Sequence, residues 1–377
     1  MHKLPLVLIP ALVVAGCGPR PAPPPWTGEQ RALVVLASWS DTEPSVTRDE
    51  VEAAFFGEDG LTAWFAENSA GAFTWSGEVL DWRELDEPWD DREPCEDQPL
   101  AELLWDAAAG DVARRDHDAD GNRRIDHLFL LHDARSRHHR ISWRCMFAEL
   151  KVADHTMVME AQGLGPLGAS PPIGLYVHEA GHAHFGFEDL YGARYRGRYG
   201  IGMWGLMGLG QWGPHHHIER EQLWRHPTHL EPFHKVRVGW VEPQLVEDTT
   251  RGVRLRPVES SGDVVQIARP GGVTYTLEVR SPVGFSAGLP GHGLLVWREG
   301  PDGVDLIQAD GRDDLNHGTD LGANPLPPID ENFGDAADPF PGAEGVTSYV
   351  SEADGVRLEG IELQADGSVI LDVVLTS

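Results

Sequence analysis

Continuous apolar runs and short apolar segments predict where the strands of this chain lie. Residues 31–38 (RALVVLAS) and residues 125–132 (IDHLFLLH) are short runs rich in aliphatic side chains, as expected for buried strands. Residues 73–82 (FTWSGEVLDW) predict a further strand pair. From Val253 onward, short apolar segments alternate with turns made of Gly, Pro and Asp. This shift in composition predicts a β-rich C-terminal unit that begins near residue 245.

Apolar residues at helical spacing predict helices between these strands. Residues 47–67 carry apolar anchors at the helical period, with an interruption at residues 57–60. Residues 100–114 have an Ala-rich centre, which favours a helix. Residues 174–185 predict a short helix that ends at Gly186, because glycine readily adopts the conformation that terminates helices.

The length and the order of these elements predict the fold class and the domains. A chain of 377 residues can form two or three domains with a sizeable core. The elements predict an α+β protein, with one domain at residues 31–245. A β-rich, sandwich-like unit is predicted at residues 246–377.

The first 30 residues predict an export signal and a tether. Their apolar run has 12 residues, from Leu4 to Ala15, whereas a helix that spans a bilayer needs about 20. Residues 1–16 therefore predict a secretory signal peptide. The VAGC sequence that ends at Cys17 resembles a bacterial lipobox, in which that cysteine becomes lipidated, and residues 17–30 predict a Pro-rich tether. The predicted location is the bacterial cell envelope, or outside the cell if Cys17 is incidental.

Charge limits the classes of partner. The chain has 60 acidic and 30 basic side chains, a formal net charge of −30. Because binding to phosphate requires cationic side chains, this balance argues against nucleic acids and against electrostatic binding to an anionic membrane surface. We expect a monomer that is attached to a membrane through its N-terminal lipid alone.

Cys95 and Cys145 are the cysteines that the lipid anchor does not use. Export places them in an oxidising compartment, where two cysteines can pair. Their sequence neighbours are polar, which favours a surface disulfide. Two reduced, inert thiols are the alternative.

The chemistry-bearing motif is HEAGH at residues 178–182. Residues four apart on a helix project from one face, so His178 and His182 can bind the same metal ion. Two neutral imidazoles and a carboxylate suit zinc with one position open to water, whose pKa zinc lowers to about 7. Glu179 is placed to take a proton from that water as it attacks a carbonyl.

The third zinc ligand must come from the chain after the helix. Gly186 allows the chain to reverse, and Asp189, three residues later, can return to the metal. Glu188, one residue nearer to Gly186, is the alternative ligand. His184 points nearly opposite to His182 while the helix persists, which predicts a solvated side chain.

Three tyrosines that follow the motif are further candidates. Each can donate a hydrogen bond to an oxyanion, although a packed or exposed phenol is the simpler interpretation for any one of them. They are Tyr191, Tyr195 and Tyr199.

An acidic segment at residues 116–126 (DHDADGNRRID) predicts a calcium loop. An EF-hand needs a bidentate acid at its twelfth position, where this chain has His127, so the segment is not an EF-hand. A shorter loop is feasible, with a solvated acidic turn as the alternative. Its candidate oxygen donors are Asp116, Asp118, Asp120, Asn122 and Asp126.

Seven blocks of the sequence match, in order, those of a known family. The motif block reads HEAGHAHFGFEDLY, against HExxHxxGxxD and often Leu-Tyr in the family, with one extra residue after His182. The other blocks are FF…ENSAG…GEV (55–79), WGLMG (204–208), PTHL…K…VGW (227–240), LEVR (277–280), LPG with GLL (289–295) and DAADPFPG (335–342). Over roughly residues 31–345, the chain resembles the immune inhibitor A family of secreted zinc metallopeptidases (peptidase family M6).

The resemblance implies a zincin- or metzincin-like catalytic domain that hydrolyses peptide bonds in proteins. It implies zinc on His178, His182 and Asp189, and an apolar floor beneath the metal formed by Met207, as in the Met-turn of related zincins. It also supports the calcium loop, because the family has a similar acidic segment before a strand. The predicted protein is a zinc endopeptidase of the cell envelope. The alternatives are a non-catalytic surface protein of this type that binds protein or calcium, and a metal-dependent hydrolase of another bond.

Overall fold

The structure is a computed structural model of the chain. It describes residues 26–44, 46–86, 88, 127–132, 148–152, 155–159, 161–163, 171, 173–191, 200–213, 225–316 and 332–376. Helices and several sheets are mixed within these ranges, so the predicted α+β class is confirmed. In the described part of the chain, no helix is both long enough and apolar enough to cross a membrane.

Some sequence predictions lie outside the described residues. They include the signal peptide at residues 1–16, Cys17 and most of the tether. They also include the helix at residues 100–114, the calcium loop at residues 116–126, the pair Cys95 and Cys145, and Tyr195 and Tyr199.

A parallel sheet organises the first half of the described structure. Its strands are β1 (Gly28–Ser38), β2 (Phe73–Val79), β3 (Arg83–Glu84), β4 (His127–His132) and β7 (Ala161–Gly163). Strand β1 is central and pairs in parallel with β2, β3 and β4, and β7 pairs with β4. The apolar run of β1 is buried from Ala32 to Ala37, as expected for a parallel strand covered on both faces. An antiparallel pair, β5 (Ala148–Val152) and β6 (His155–Met159), follows β4 in sequence.

Five α-helices lie among the described residues, and local side chains cap the start of the first. The helices are α1 (Arg48–Phe56), α2 (Leu61–Asn68), α3 (Ile173–Phe185), α4 (Pro232–Arg237) and α5 (Val258–Ser261). At the start of α1, Thr47 accepts from the Glu50 amide while the Glu50 carboxylate accepts from the Thr47 amide. The interruption predicted at residues 57–60 separates α1 from α2, which confirms that prediction.

The strand prediction at residues 31–38 is confirmed, and the one at residues 125–132 is confirmed for its described part, residues 127–132. The strand pair predicted at residues 73–82 is wrong. Strands β2 and β3 pair with β1 in parallel, at Gly28–Val34 and at Ala37–Ser38 respectively. Residues 73–82 contain one strand, β2, which adds to the buried parallel sheet, and β3 follows the segment at residues 83–84.

The strands predicted after Val253 are present in two further sheets of the described structure. The strands of the first sheet are β8 (Gln244–Leu245), β10 (Val265–Arg269), β11 (Val273–Arg280), β12 (Gly293–Gly300) and β13 (Gly303–Ile307). Those of the second are β9 (Thr250–Leu255), β14 (Tyr349–Ser351), β15 (Val356–Leu363) and β16 (Val369–Leu375). The first sheet has the order β13-β12-β11-β10-β8, and the second has the order β14-β15-β16-β9.

Buried apolar side chains of the described residues form two clusters. The first joins the parallel sheet to helices α1, α2 and α3 and extends to β12 through Leu295 and Trp297, which are both fully buried. The second combines side chains from both C-terminal sheets, such as Ile267 on β10 and Val373 on β16. Because Tyr176 and its neighbours belong to the first cluster, helix α3 is held rigidly at the point where the HEAGH residues lie.

A buried ionic network also joins the two halves. The Arg280 guanidinium on β11 donates to Glu278 Oε1 at 2.6 Å and to the Leu230 carbonyl at 3.2 Å. The Lys235 ammonium lies 3.9 Å from Glu278, and burial lowers the pKa of that lysine to about 8. These charges are fully buried, so each is compensated by a partner, and the chain that follows the WGLMG block is fixed against the C-terminal sheets.

Candidate metal centre

Helix α3 carries the HEAGH residues in the interior of the protein. His178 and Glu179 are each 1% exposed. His178 and His182 lie one turn apart on the same face, with ring centroids separated by 4.7 Å. The predicted helix is confirmed and begins one residue earlier, at Ile173.

Three donor atoms converge at this face. The Nε2 atoms of His178 and His182 are 3.1 Å apart. Asp189 Oδ1 lies 3.3 Å from the first nitrogen and 3.2 Å from the second. The structure therefore brings both histidines and Asp189 to one point.

Backbone carbonyls determine which ring nitrogens face this point. The Leu206 carbonyl lies 3.1 Å from His178 Nδ1, and the Phe187 carbonyl lies 2.7 Å from His182 Nδ1. Since a carbonyl oxygen accepts hydrogen bonds, each Nδ1 carries a proton and donates it. In the neutral ring each Nε2 then presents a lone pair, so two lone pairs and a carboxylate oxygen face one another.

This donor set fits a zinc ion. Donors about 2.0–2.1 Å from one tetrahedral zinc lie about 3.3–3.4 Å apart, close to the three separations found here. Lone pairs at such distances repel one another unless a cation lies between them. Imidazole nitrogen and carboxylate oxygen are ligands that zinc accepts, and a carbonyl on the second ring nitrogen is the usual arrangement for a metal-binding histidine.

Gly186 returns the chain so that Asp189 reaches the histidines. Helix α3 ends at Phe185, and Gly186 has φ = +67°, in the left-handed region that glycine adopts without strain. The Gly186 amide donates to the His182 carbonyl at 3.0 Å, and the Phe187 amide donates to the Gly181 carbonyl at 3.1 Å. The helix thus accommodates the extra residue after His182 before the chain turns.

Asp189 and Glu188 differ in what they approach. Asp189 Oδ1 lies within 3.3 Å of both Nε2 atoms, and its side chain is half exposed. A half-exposed aspartate is ionised at neutral pH, as a metal ligand must be. Glu188 is exposed, and its charge acts on His234. The Asp189 side chain is 50% exposed, so the open side of the centre lies beside it.

Glu179 and Tyr191 border the same point. A Glu179 carboxylate oxygen lies 3.9 Å from His178 Nε2. Gln211 donates to the Tyr191 hydroxyl at 3.4 Å. Burial raises the pKa of Tyr191, and the negative charges of Asp189 and Glu179 raise it further, so the phenol keeps its proton and can donate a hydrogen bond.

Met207 packs beneath helix α3. Its side chain is fully buried, and a Cβ added to Gly181 would lie 2.9 Å from the Met207 sulfur. Gly181 lies between the two histidines in the motif, so the thioether is close to the metal-facing turn of the helix. This position is compatible with the apolar floor that the sequence resemblance implies.

His184 does point away from the metal-facing side, but the prediction that it is solvated is wrong. Its Nδ1 lies 3.1 Å from Nδ1 of His127 on β4, and its ring contacts Trp75 at a centroid distance of 5.6 Å. Burial lowers the pKa of His184 to about 3, so both rings are neutral. The opposite face of α3 lies against the parallel sheet, which the helical period alone does not reveal.

Several residues of the centre were not predicted from the sequence. The carbonyls of Leu206 and Phe187 orient the imidazoles, and the Glu231 carboxylate accepts from the Met207 amide at 2.8 Å. A backbone carbonyl has no residue-type signature, so its role is invisible in a sequence. The WGLMG block did indicate that the segment at Leu206 belongs to the site. It did not indicate that the Leu206 carbonyl contacts His178.

A second acidic group lies in the C-terminal half. Carboxylate oxygens of Asp310, Asp314 and Asp335 all lie within 4.8 Å of one another. Asp338 is fully buried beside them and accepts from the Trp204 indole at 2.8 Å and from the Asp335 amide at 2.9 Å. Burial, together with the charges of Asp335 and Asp314, raises the pKa of Asp338 to about 7.

We expect Asp338→Asn to stabilise the protein in a pH-dependent way. An unfolded aspartate ionises near pH 3.9, whereas folded Asp338 keeps its proton to about pH 7. Wild type therefore loses stability relative to the variant as pH rises from about 4 to 7, by up to about 4 kcal/mol, and the difference is constant above that range. Urea unfolding of both proteins at pH 4, 5, 6, 7 and 8 in the presence of a chelator measures it. A difference that does not change with pH would contradict the prediction.

No protein family model matches this chain, and no curated protein matches it significantly.

Proposed function

We propose that this protein is a zinc-dependent endopeptidase that hydrolyses peptide bonds in proteins. The observation that supports it most strongly is the convergence of His178 Nε2, His182 Nε2 and Asp189 Oδ1 within 3.1–3.3 Å, with both Nδ1 atoms facing backbone carbonyls. The sequence resemblance to the immune inhibitor A family supports hydrolysis of peptide bonds as the reaction.

Within the α+β class, we propose a zincin-like catalytic domain followed by a sandwich-like unit. In support of the first, a helix bearing the HEAGH residues packs between a parallel sheet and the Met207 segment. In support of the second, one apolar cluster takes side chains from both C-terminal sheets. Sheets that share a core in this way are the basis of a β-sandwich.

Zinc held by His178, His182 and Asp189 would polarise a substrate carbonyl and make water a nucleophile at neutral pH. Glu179 directly follows His178 in the helix, and its carboxylate lies near His178 Nε2. It is therefore placed to accept a proton from the attacking water. The same carboxyl group then gives that proton to the leaving amine. The Glu179 side chain is 1% exposed, so bulk water is kept away from the proton that it carries.

Tyr191 is the proposed hydrogen-bond donor to the oxyanion. Its hydroxyl stays protonated, and its ring centroid lies 6.0 Å from that of His178. A donor held in a water-poor site stabilises negative charge that develops on a carbonyl oxygen. The half-exposed side of Asp189 is where a polypeptide substrate would enter.

Cleavage of protein substrates tests the proposal. We expect the purified protein to cleave casein and quenched fluorogenic peptides, to lose that activity with 1,10-phenanthroline, and to regain it with about one equivalent of zinc. If the protein binds one zinc but cleaves no peptide, the non-catalytic alternative is correct. Turnover of esters or other amides without peptide cleavage would identify a hydrolase of another bond.

A further inference from the structure

Glu231 contacts two groups, the Met207 amide and the His234 ring, and each of them is linked to one of the carbonyls that orient the two imidazoles. It is fully buried and directly precedes helix α4. Its Oε1 accepts from the Met207 amide at 2.8 Å, and its Oε2 lies 2.8 Å from His234 Nδ1, which donates to it. One carboxylate thus joins the WGLMG segment to helix α4.

The first contact acts on His178 through a single peptide group. The Met207 N–H and the Leu206 C=O belong to the same planar unit, so a partner that fixes the N–H also fixes the direction of the carbonyl. That carbonyl accepts from His178 Nδ1 at 3.1 Å. Glu231, the peptide group and the imidazole form a continuous hydrogen-bonded chain, which holds the ring and makes its Nε2 a stronger donor to a metal.

The second contact acts on His182 through an aromatic stack. The His234 ring lies 4.3 Å from the Phe187 ring at an interplanar angle of 8°. The Phe187 carbonyl accepts from His182 Nδ1 at 2.7 Å. Because Glu231 fixes the His234 ring, it also limits the movement of the segment that carries this carbonyl.

The neighbouring backbone leaves room for the carboxylate. A Cβ at Gly205 would collide with Glu231 Oε1. Glycine at this position therefore allows the carboxylate to reach the Met207 amide.

We infer that Glu231 is a positioning residue, which sets the orientation of His178 and His182 for metal binding through the Leu206–Met207 peptide group and the His234–Phe187 stack. This inference rests on the proposed zinc site. It concerns how the ligands are held, and Glu231 itself touches neither metal nor substrate.

The test compares metal affinity and ligand field in variants of Glu231. We expect Glu231→Ala to weaken zinc binding by about 10- to 100-fold, measured by competition with a chromophoric chelator, and to change the visible absorption spectrum of the cobalt-substituted protein. Glu231→Gln keeps an oxygen for the Met207 amide, so its zinc affinity should fall by less than about 10-fold. Rescue by this near-isosteric variant separates positioning from simple loss of packing.

Glu278→Gln is the matched control. Glu278 is equally buried, but its carboxylate accepts from Arg280 and not from Met207 or His234. The control variant should lower folding stability while zinc affinity and the cobalt spectrum stay those of wild type. If Glu231→Ala does not fold, His234→Ala carries the test, with an expected loss of about 5-fold or more. Wild-type affinity and spectrum in the folded Glu231 or His234 variant would overturn the inference. If wild type itself binds neither zinc nor cobalt, the proposed function fails instead.

Discussion

Glu179→Gln should lower kcat for peptide hydrolysis by about 10²- to 10⁴-fold and leave zinc binding intact. The carboxylate lies 3.9 Å from His178 Nε2, outside the three converging donors, so its loss removes a proton acceptor and not a ligand. Glutamine has the same shape but cannot take a proton from water at neutral pH. The measurement is kcat and KM on a fluorogenic peptide, with zinc content determined on the same preparation.

The control for this prediction is the zinc content together with folding stability. One zinc per chain in both proteins, with similar urea unfolding curves, assigns the loss of rate to the proton acceptor. Equal and appreciable rates for wild type and Glu179→Gln would show that another group accepts the proton. If both proteins were equally inert with zinc bound, the non-catalytic alternative would be favoured.

Asp189→Ala should weaken zinc binding by more than about 100-fold, because losing a direct ligand costs more than losing a hydrogen-bond partner of one. Asp189 Oδ1 lies 3.2–3.3 Å from both Nε2 atoms and completes the donor set. The side chain is half exposed, so its truncation should change folding stability little in the absence of metal. Chelator competition measures the zinc dissociation constant.

Glu188→Ala is the matched control for Asp189→Ala. The two acids are adjacent in sequence and both are exposed, so the variants change net charge equally. Glu188→Ala should retain wild-type zinc affinity within about threefold, the range expected of a surface charge. If Glu188→Ala were the variant that loses zinc, the alternative ligand would be correct and the loop would differ from the one described.

Local periodicity was enough to predict the parts of the centre that lie on one helix. The spacing of His178 and His182, and the end of helix α3 before Gly186, follow from rules that act over a few residues. The role of Asp189 could also be predicted from the sequence, because a glycine in the left-handed region reverses the chain and the acid lies three residues beyond it. That these residues bind zinc is still a prediction.

Long-range contacts explain what the sequence did not predict. The helical period placed His184 opposite to His182 but gave no sign that this face lies against His127 and the parallel sheet. Residues 73–82 predicted a strand pair, whereas they contain the single strand β2, which pairs with β1. Glu231 is 24 residues from the Met207 amide that it contacts, so no local pattern connects them.

X-ray absorption at the zinc edge, with elemental analysis of the same sample, tests the central claim most directly. The account predicts one zinc per chain, bound by two imidazole nitrogens and a carboxylate oxygen at about 2.0–2.2 Å, with the imidazole contribution reduced in His182→Ala. A protein purified without zinc that takes up none when it is supplied, or a bound zinc whose spectrum lacks imidazole scattering, would contradict it.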